Sequence, residues 1–263
     1  MAKLRSVISV LLVLILLCNL IFVVAAQDIY ENSFVQIDCS HVNDGYIKAR
    51  YLQETNKELR VIIICPDSKQ YIYTLDPDGN YEIYCLSEGN GEYVVSIYRQ
   101  NTGSSYTLLL RTTITLKLED EFKPFLLPNQ YVNYDDGDAV KKAVELVGDI
   151  TDTSQKVKII YDYLINFTYD RDMASNVSQG YLPDINDIIN KEKGICFDYA
   201  AAMVAMLRSQ NIPAKLVVGN LSNRYHAWVN VYLEDKGWQL YDPSLASVGV
   251  RALRVMYSAQ YVY

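Results

Sequence analysis

Histidine is scarce in this chain of 263 residues: His41 and His226 are the only two. No Cys-x-x-Cys pair occurs, so the ligand spacings of zinc sites are missing. Basic residues are outnumbered, 24 against 31 acids, for a net charge of −7. Without Lys3 and Arg5, which belong to an apolar leader, the balance is 22 against 31, a net of −9. That sign excludes the cationic footprint of nucleic-acid binding and of attachment to an anionic membrane surface. Tryptophan is limited to Trp228 and Trp238, and no internal repeat is present.

The first 26 residues stand apart. Lys3 and Arg5 precede an apolar run from Val7 to Ala26, broken only by Ser9 and Asn19, and Val24-Ala25-Ala26 resembles a small-residue cleavage site. The segment reads as a secretory signal peptide, and it is also long enough for an uncleaved membrane anchor. In either case the remainder is expected to be secreted or extracytoplasmic. Residues 7–26 are then its only expected membrane contact, and only if uncleaved. Cys18 falls in this leader. Cys39, Cys65 and Cys85 cluster early, and Cys196 stands alone. An oxidising compartment permits one disulfide among the first three with one thiol left over, and spacing does not choose the pair.

Half of the residues are hydrophobic, enough for a sizeable core and two domains. From 27 to 120 the apolar residues alternate, as in Val35-x-Ile37-x-Cys39, Leu59-x-Val61-x-Ile63-x-Cys65 and Tyr81-x-Ile83-x-Cys85. Clusters such as Asp76-Pro77-Asp78-Gly79-Asn80 and Glu88-Gly89-Asn90-Gly91 supply turns between them. This spacing predicts a small β-sandwich domain over residues 27–120, with tyrosines on half-buried sheet surface. Residues 121–134, with Pro124 and Pro128, read as a linker.

From residue 135 the period becomes helical. Val140, Ala143, Val144 and Val147 predict one helix, with Asp138 as its expected cap. A second is expected from about Ser154 to Asn166 and a third from Leu182 to Lys191. Asp170 to Gly180 reads as a polar loop. The fourth helix opens at Cys196 and is expected to end near Asn211, before Pro213. Ala214–Val218, Ala227–Leu233 and Trp238–Tyr241 are β-like, the last two joined by Glu234-Asp235-Lys236-Gly237. The tail after Ser247 is weakly patterned, with room for one more strand. Helices followed by antiparallel strands over residues 135–263 make the second domain α+β.

Chemistry concentrates around Cys196. The run Ala200-Ala201-Ala202-Met203, continued by Ala205, Met206 and Leu207, is apolar nearly all the way round, so its helix is buried. At the helix start, unpaired N–H groups and the dipole favour a thiolate. Gly194 is expected to give the freedom for a sharp entry, and Asp198 to complement the dipole. His226 opens one strand and Asp242 closes the next, just before Pro243. If those strands pair through Lys236-Gly237, Asp242 comes to stand beside His226. Singly, each has a bland account, a structural histidine and a turn-starting aspartate. Together, in the order Cys, His, Asp, they supply a nucleophile, its base and a carboxylate that orients the ring. The backbone N–H of Cys196 is then an oxyanion donor.

Several separated motifs carry a family likeness. Gly194-Ile195-Cys196-Phe197-Asp198-Tyr199-Ala200, Leu207 to Lys215, His226-Ala227-Trp228-Val229 and Trp238-Gln239-Leu240-Tyr241-Asp242-Pro243 together resemble the transglutaminase-like core, the bacterial branch above all. Lys156 to Asp170, ending Phe167-Thr168-Tyr169-Asp170, is similar to the step that precedes that core. The likeness covers about residues 135–245. It implies a papain-like α+β fold and thiol acyl chemistry on peptide, isopeptide or glutaminyl amides, with the family's triad on Cys196, His226 and Asp242. It implies neither metal nor cofactor. Where the cross-linking animal enzymes carry a tryptophan beside the cysteine, this chain has Phe197, and no tryptophan stands upstream as a second oxyanion donor. Tyr169, Asn176 and Gln179 are candidates for that role, and Trp228 for a wall of the substrate groove.

The expected activity is that of a cysteine enzyme acting through an acyl-thioester, with hydrolysis favoured over amine transfer. Its substrate would be a protein or peptide, a cell-wall peptide included. The alternative is a non-catalytic extracellular binding or scaffold module on the same fold.

Overall fold

The computed structural model describes residues 28–134, 137–178, 180–222, 224–250 and 256–263. The leader with Cys18, the acidic pair Asp135-Asp136 and the oxyanion candidate Gln179 lie outside these residues. Among the described residues no helix is long and apolar enough to cross a membrane.

Alternating sequence in the first half becomes eight strands: β1 (Ile29–Glu31), β2 (Val35–Asp38), β3 (Tyr46–Tyr51), β4 (Leu59–Ile64), β5 (Gln70–Thr74), β6 (Glu82–Cys85), β7 (Gly91–Gln100) and β8 (Tyr106–Leu116). They form two four-stranded antiparallel sheets, β1-β2-β3-β6 and β5-β4-β7-β8. Both sheets send alternate residues into one apolar cluster that includes Ile37, Ile47, Val61, Tyr73 and Val95. The anticipated disulfide is absent: Cys39, Cys65 and Cys85 are all free and buried. For Cys39 and Cys85 strand order is the reason. Cys39 follows β2 and Cys85 ends β6, with β3 between them, a separation of about 10 Å where a disulfide tolerates under ~7 Å. Cys65 belongs to the other sheet, following β4. Burial pushes the three thiols up, to about 12, 12 and 11 in chain order.

Residues 121–134 are closely packed rather than loose. Pro124 and Phe125 are buried in a 3₁₀ turn, Lys123–Phe125. The rings of Phe122 and Phe125 lie 6.2 and 5.4 Å from that of Trp238. A pair of proline residues in a mixed-charge stretch signals a break in regular structure, but carries no periodicity that would reveal this packing.

The second half contains α1 (Asp138–Val147), α2 (Thr153–Leu164), β9 (Thr168–Tyr169), α3 (Arg171–Asn176), α4 (Ile185–Lys191), β10 (Lys193–Gly194), α5 (Cys196–Ser209), β11 (Ala214–Leu221), β12 (Arg224–Leu233), β13 (Gly237–Tyr241), α6 (Pro243–Ser247) and β14 (Tyr257–Val262). Asp138 is the first residue of α1 and not its cap, which is Gly137; the Asp138 N–H is taken by Asn186 Oδ1 at 2.7 Å. The expected loop after Asp170 contains α3, capped by the Asp170 carboxylate, which accepts from Met173 N at 3.0 Å. None of its six residues is buried, so no apolar period announces it. Helix α5 is the hub. Every residue from Asp198 to Arg208 is buried, with helices α1, α2 and α4 and strands β11 and β12 around it.

Strands β13-β12-β11-β14 form the antiparallel sheet beside α5, and the weakly patterned tail supplies its edge. A Cβ on Gly219 would meet Ser258 O at 2.1 Å, so only glycine admits this strand at the bulge between Val218 and Gly219. The tail also ties the two halves together. Val262 N donates to Tyr71 Oη at 3.0 Å, and Ser87 Oγ donates to Val262 O at 2.6 Å. Arg208, wholly buried, donates to the carbonyls of Ala214, Leu127 and Tyr263 at 3.0, 2.5 and 2.8 Å. Burial lowers its guanidinium to about 10, with carbonyl oxygens rather than a carboxylate holding the charge.

Candidate active site

The start of α5 is fixed by a short parallel pairing. Lys193 and Gly194 lie against Thr168 and Tyr169, with Thr168 N donating to Glu192 O and Asp170 N to Gly194 O, both at 2.8 Å. Asp198, one turn into the helix, reaches back: its Oδ2 accepts from Ile195 N at 2.9 Å and its Oδ1 from Tyr181 Oη at 2.7 Å. Burial raises this carboxyl despite those two donors. Asp198 is therefore a buried brace of the helix entry as well as a first-turn acid. Gly194 also has a different reason from the expected one. Its φ is not left-handed; a Cβ there would lie 2.7 Å from Asp198 Cβ and 2.9 Å from its Oδ2. Close approach, not freedom of turning, selects glycine.

Cys196 is half-buried at the first residue of α5, and it lines one groove with His226 and Tyr169, whose ionisation its thiol influences. His226 lies three residues into β12 rather than at its start. β12 and β13 pair through the 234–237 turn, in a register that sets Val229 opposite Tyr241. The next residue, Asp242, leaves the strand and crosses diagonally to His226, where its Oδ2 meets Nε2 at 2.7 Å. Nδ1 is left for the thiol. The turn-starting role holds too. Asp242 caps α6, its Oδ1 accepting from Leu245 N at 2.9 Å and from Ser244 Oγ at 2.8 Å. One carboxylate thus divides its oxygens, one for the helix cap and one for the imidazole.

Burial disfavours the charged imidazole, but the hydrogen bond and charge of Asp242, joined by those of Cys196, outweigh it and raise His226 to about 9. Burial opposes ionisation of Asp242 as well, yet His226, Leu245 N and Ser244 together hold it below its ordinary value. Both shifts favour a carboxylate beside an imidazolium. A fourth donor was not legible in the sequence: Tyr257, on β14, gives its hydroxyl to Asp242 Oδ2 at 2.9 Å. It comes from the unpatterned tail, and no motif marks it.

Tyr169, brought in by the β9–β10 pairing, has its hydroxyl pushed up to about 12, first by burial and then by the neighbouring thiol. Its position beside Sγ suits a donor to an oxyanion formed there. Asn176 is exposed and spends its amide on Asp172 O at 2.8 Å, away from the thiol. Trp228 does not wall the groove. It is 2% exposed, lies behind His226 with ring centroids 6.4 Å apart, and packs edge-on to Tyr257 at 5.0 Å. Period two put Trp228 on the His226 face of β12, and the incoming tail then covered it. Trp238 is remote, packed edge-on against Phe125 of the 121–134 segment, with Lys215 Nζ 3.8 Å over its ring. The groove that opens on Cys196 has a volume of about 630 Å³, with Tyr131, Tyr181, Phe197 and Tyr263 among its walls. Among the described residues no three His, Cys, Asp or Glu side chains stand together to hold a metal ion.

Comparison with known proteins finds a family likeness in the second half of the chain. Residues 140–243 match the sequence model of the transglutaminase-like superfamily core. The uncharacterized protein YebA of Bacillus subtilis is 26% identical over 204 residues, 65% of this chain. The chain spans about a quarter of that relative, 26% of its length. Among solved structures, a proposed cysteine protease from Cytophaga hutchinsonii aligns over 76% of this chain and 78% of its own, at 20% identity and a TM-score of 0.42. The periplasmic domain of TgpA from Pseudomonas aeruginosa aligns over 82% of this chain and 95% of its own, at 13% identity and a TM-score of 0.39. Likeness at that level carries nothing about chemistry.

Proposed function

We propose that this chain, whose residues 140–243 are a transglutaminase-like core, is a cysteine enzyme that breaks peptide or isopeptide amides through an acyl-thioester on Cys196. The observation that carries the reading is the constellation of Cys196 with the His226–Asp242 pair, whose ring and carboxylate lie 2.7 Å apart. A structural cysteine at a buried helix start needs neither.

In this reading the proton shared by Cys196 and His226 is on the ring when sulfur attacks the amide carbon. The tetrahedral oxyanion is met by the backbone N–H of Cys196 and the hydroxyl of Tyr169. His226 gives its proton to the departing nitrogen, the C–N bond breaks, and the acyl group stays on sulfur. A water molecule then attacks the thioester, His226 takes its proton, and sulfur leaves. Asp242 holds the ring tautomer and orientation throughout. An amine in place of water gives transamidation. Hydrolysis is favoured because no Asp or Glu is among the described residues lining the groove, so an incoming lysine finds no counter-charge. The N-terminal charge pattern and apolar run support a location outside the cytoplasm.

The test is the pH dependence of chloroacetamide alkylation at Cys196, read by mass on its peptide, in the parent chain and in His226→Ala. The expected result is rapid alkylation near pH 6 that the substitution abolishes. Slow alkylation indifferent to His226 would discard the nucleophile. A binding module would then become the better account, and Cys196→Ala would leave its partner binding intact.

A further inference from the structure

The groove beside Cys196 has an unusual polarity for a surface cleft in a chain of net charge −7. Apart from His226 and Cys196 themselves, none of its described lining residues carries a charge. Its walls are largely aromatic. Tyr131 lies 5.6 Å from Phe197 and 4.5 Å from Tyr263, ring centre to ring centre, and Tyr181 lies 6.5 Å from Phe197. Two of the tyrosine hydroxyls are directed at the protein's own groups. Tyr181 donates its hydroxyl to Asp198 at 2.7 Å, and that of Tyr169 lies beside the thiol. Ring faces, ring edges and aliphatic groups make up most of what the walls offer a ligand. The apolar character continues to the mouth, where Val177 is 43% and Tyr225 70% exposed. At about 630 Å³ the groove accommodates a large side chain with its backbone.

We infer that this groove selects an uncharged aromatic or aliphatic side chain on the acyl-donor residue, the one whose carbonyl Cys196 attacks. The inference rests on the catalytic reading for the identity of that residue, but the selectivity itself is a property of the walls. A phenylalanine or leucine side chain trades water for ring contacts. A lysine or glutamate side chain would leave water without gaining a counter-ion, and its charge would be stranded.

The test uses binding, so that it does not depend on turnover. Fluorescein-labelled pentapeptides Gly-Gly-X-Gly-Gly, with X as Phe, Leu, Lys or Glu, are titrated against the otherwise full chain carrying Cys196→Ala, and anisotropy is followed. Phe and Leu peptides should bind at least about tenfold tighter than Lys and Glu peptides, the discrimination that burying one apolar side chain supplies. Val177→Asp, an exposed change at the mouth, should narrow the gap for Lys and widen it for Glu. Equal affinities, a preference for Lys or Glu, or no binding of any peptide at millimolar protein overturns the inference. The chloroacetamide experiment separates the two proposals. Peptide discrimination with an unreactive Cys196 leaves the groove and removes the enzyme; a reactive, His226-dependent Cys196 without discrimination does the reverse.

Discussion

Tyr257 donates its hydroxyl to Asp242 Oδ2 at 2.9 Å, the same oxygen that His226 Nε2 meets at 2.7 Å. Tyr257 lies on one edge strand of the sheet, β14, and Asp242 directly follows the other, β13, so the tail of the chain completes the environment of the candidate catalytic carboxylate. Tyr257 is a positioning residue in this arrangement, acting on His226 through Asp242.

Tyr257→Phe keeps the ring against Trp228 and removes one donor from a buried carboxylate. A hydrogen bond to a charged group contributes about 1.5–3 kcal/mol, and the variant should lose stability of that order at pH 7. Asp242 should also protonate more readily, so the acid limb of Cys196 alkylation should move to higher pH. Urea unfolding and the alkylation profile check both. A stability loss with an unmoved acid limb would make Tyr257 a packing residue only.

The His226 imidazole should titrate near 9 by NMR, and Asp242→Asn should bring it down toward or below the ordinary ~6.5. The folded value lies above the unfolded one, so the stabilisation from His226 is fully present below about 6.5 and is lost as pH rises through about 9. Asp242 is shifted the other way, so its contribution is present above its unfolded value of about 4 and is lost as pH falls through the lower folded value. The pair should therefore stabilise the fold most between roughly pH 4 and 6.5. Unfolding free energies of the parent and of His226→Ala at pH 5, 7 and 10 should converge at pH 10. A constant difference across that range would argue against the linkage.

Tyr169→Phe isolates the oxyanion role. With p-nitrophenyl acetate as acyl donor, the burst that reports acylation of Cys196 should slow by about 10²-fold, within the range for removing one oxyanion donor. Alkylation by chloroacetamide develops no oxyanion and should fall much less. Parallel losses in the two assays would instead assign Tyr169 to holding the thiol.

Gly194→Ala should cost about 1–3 kcal/mol, the usual penalty for overpacking. The new Cβ would stand 2.7 Å from Asp198 Cβ and displace the carboxylate from Ile195 N. Denaturant unfolding reads the loss. A neutral outcome would mean that the β10–α5 junction yields at little cost.

Thiol counting tests the absence of a disulfide. Under native conditions a bulky disulfide reagent should modify only Cys196 among the four described cysteines, since Cys39, Cys65 and Cys85 are buried and free. In denaturant without reductant, all four of these thiols should react, with Cys18 in addition where the leader is retained. Two missing thiols would reveal a bridge.

Much of the site was legible in the sequence. The order Cys196, His226, Asp242 and the turn at 234–237 place imidazole beside carboxylate, because strand pairing through a short turn has few registers. Tyr169 was legible only as one of three candidates, because its place depends on a two-residue parallel pairing that no periodicity encodes. Helix α3 escaped because it buries nothing, and Trp228 was misplaced because strand alternation gives the face of a residue but not what later covers it.

The sequence by itself determined the two halves of the chain, the buried cysteine helix and the likeness of residues 140–243 to the transglutaminase-like core, since these follow from local periodicity and from motifs whose residues lie near one another along the chain. Tertiary structure alone decided the contacts between distant segments. The separation of Cys39 from Cys85 by β3, the docking of the 121–134 segment on Trp238 and the delivery of Tyr257 to Asp242 are all of that kind. Each joins residues whose mutual distance is set by strand order and helix packing, and neither propensity nor hydrophobic period carries that information.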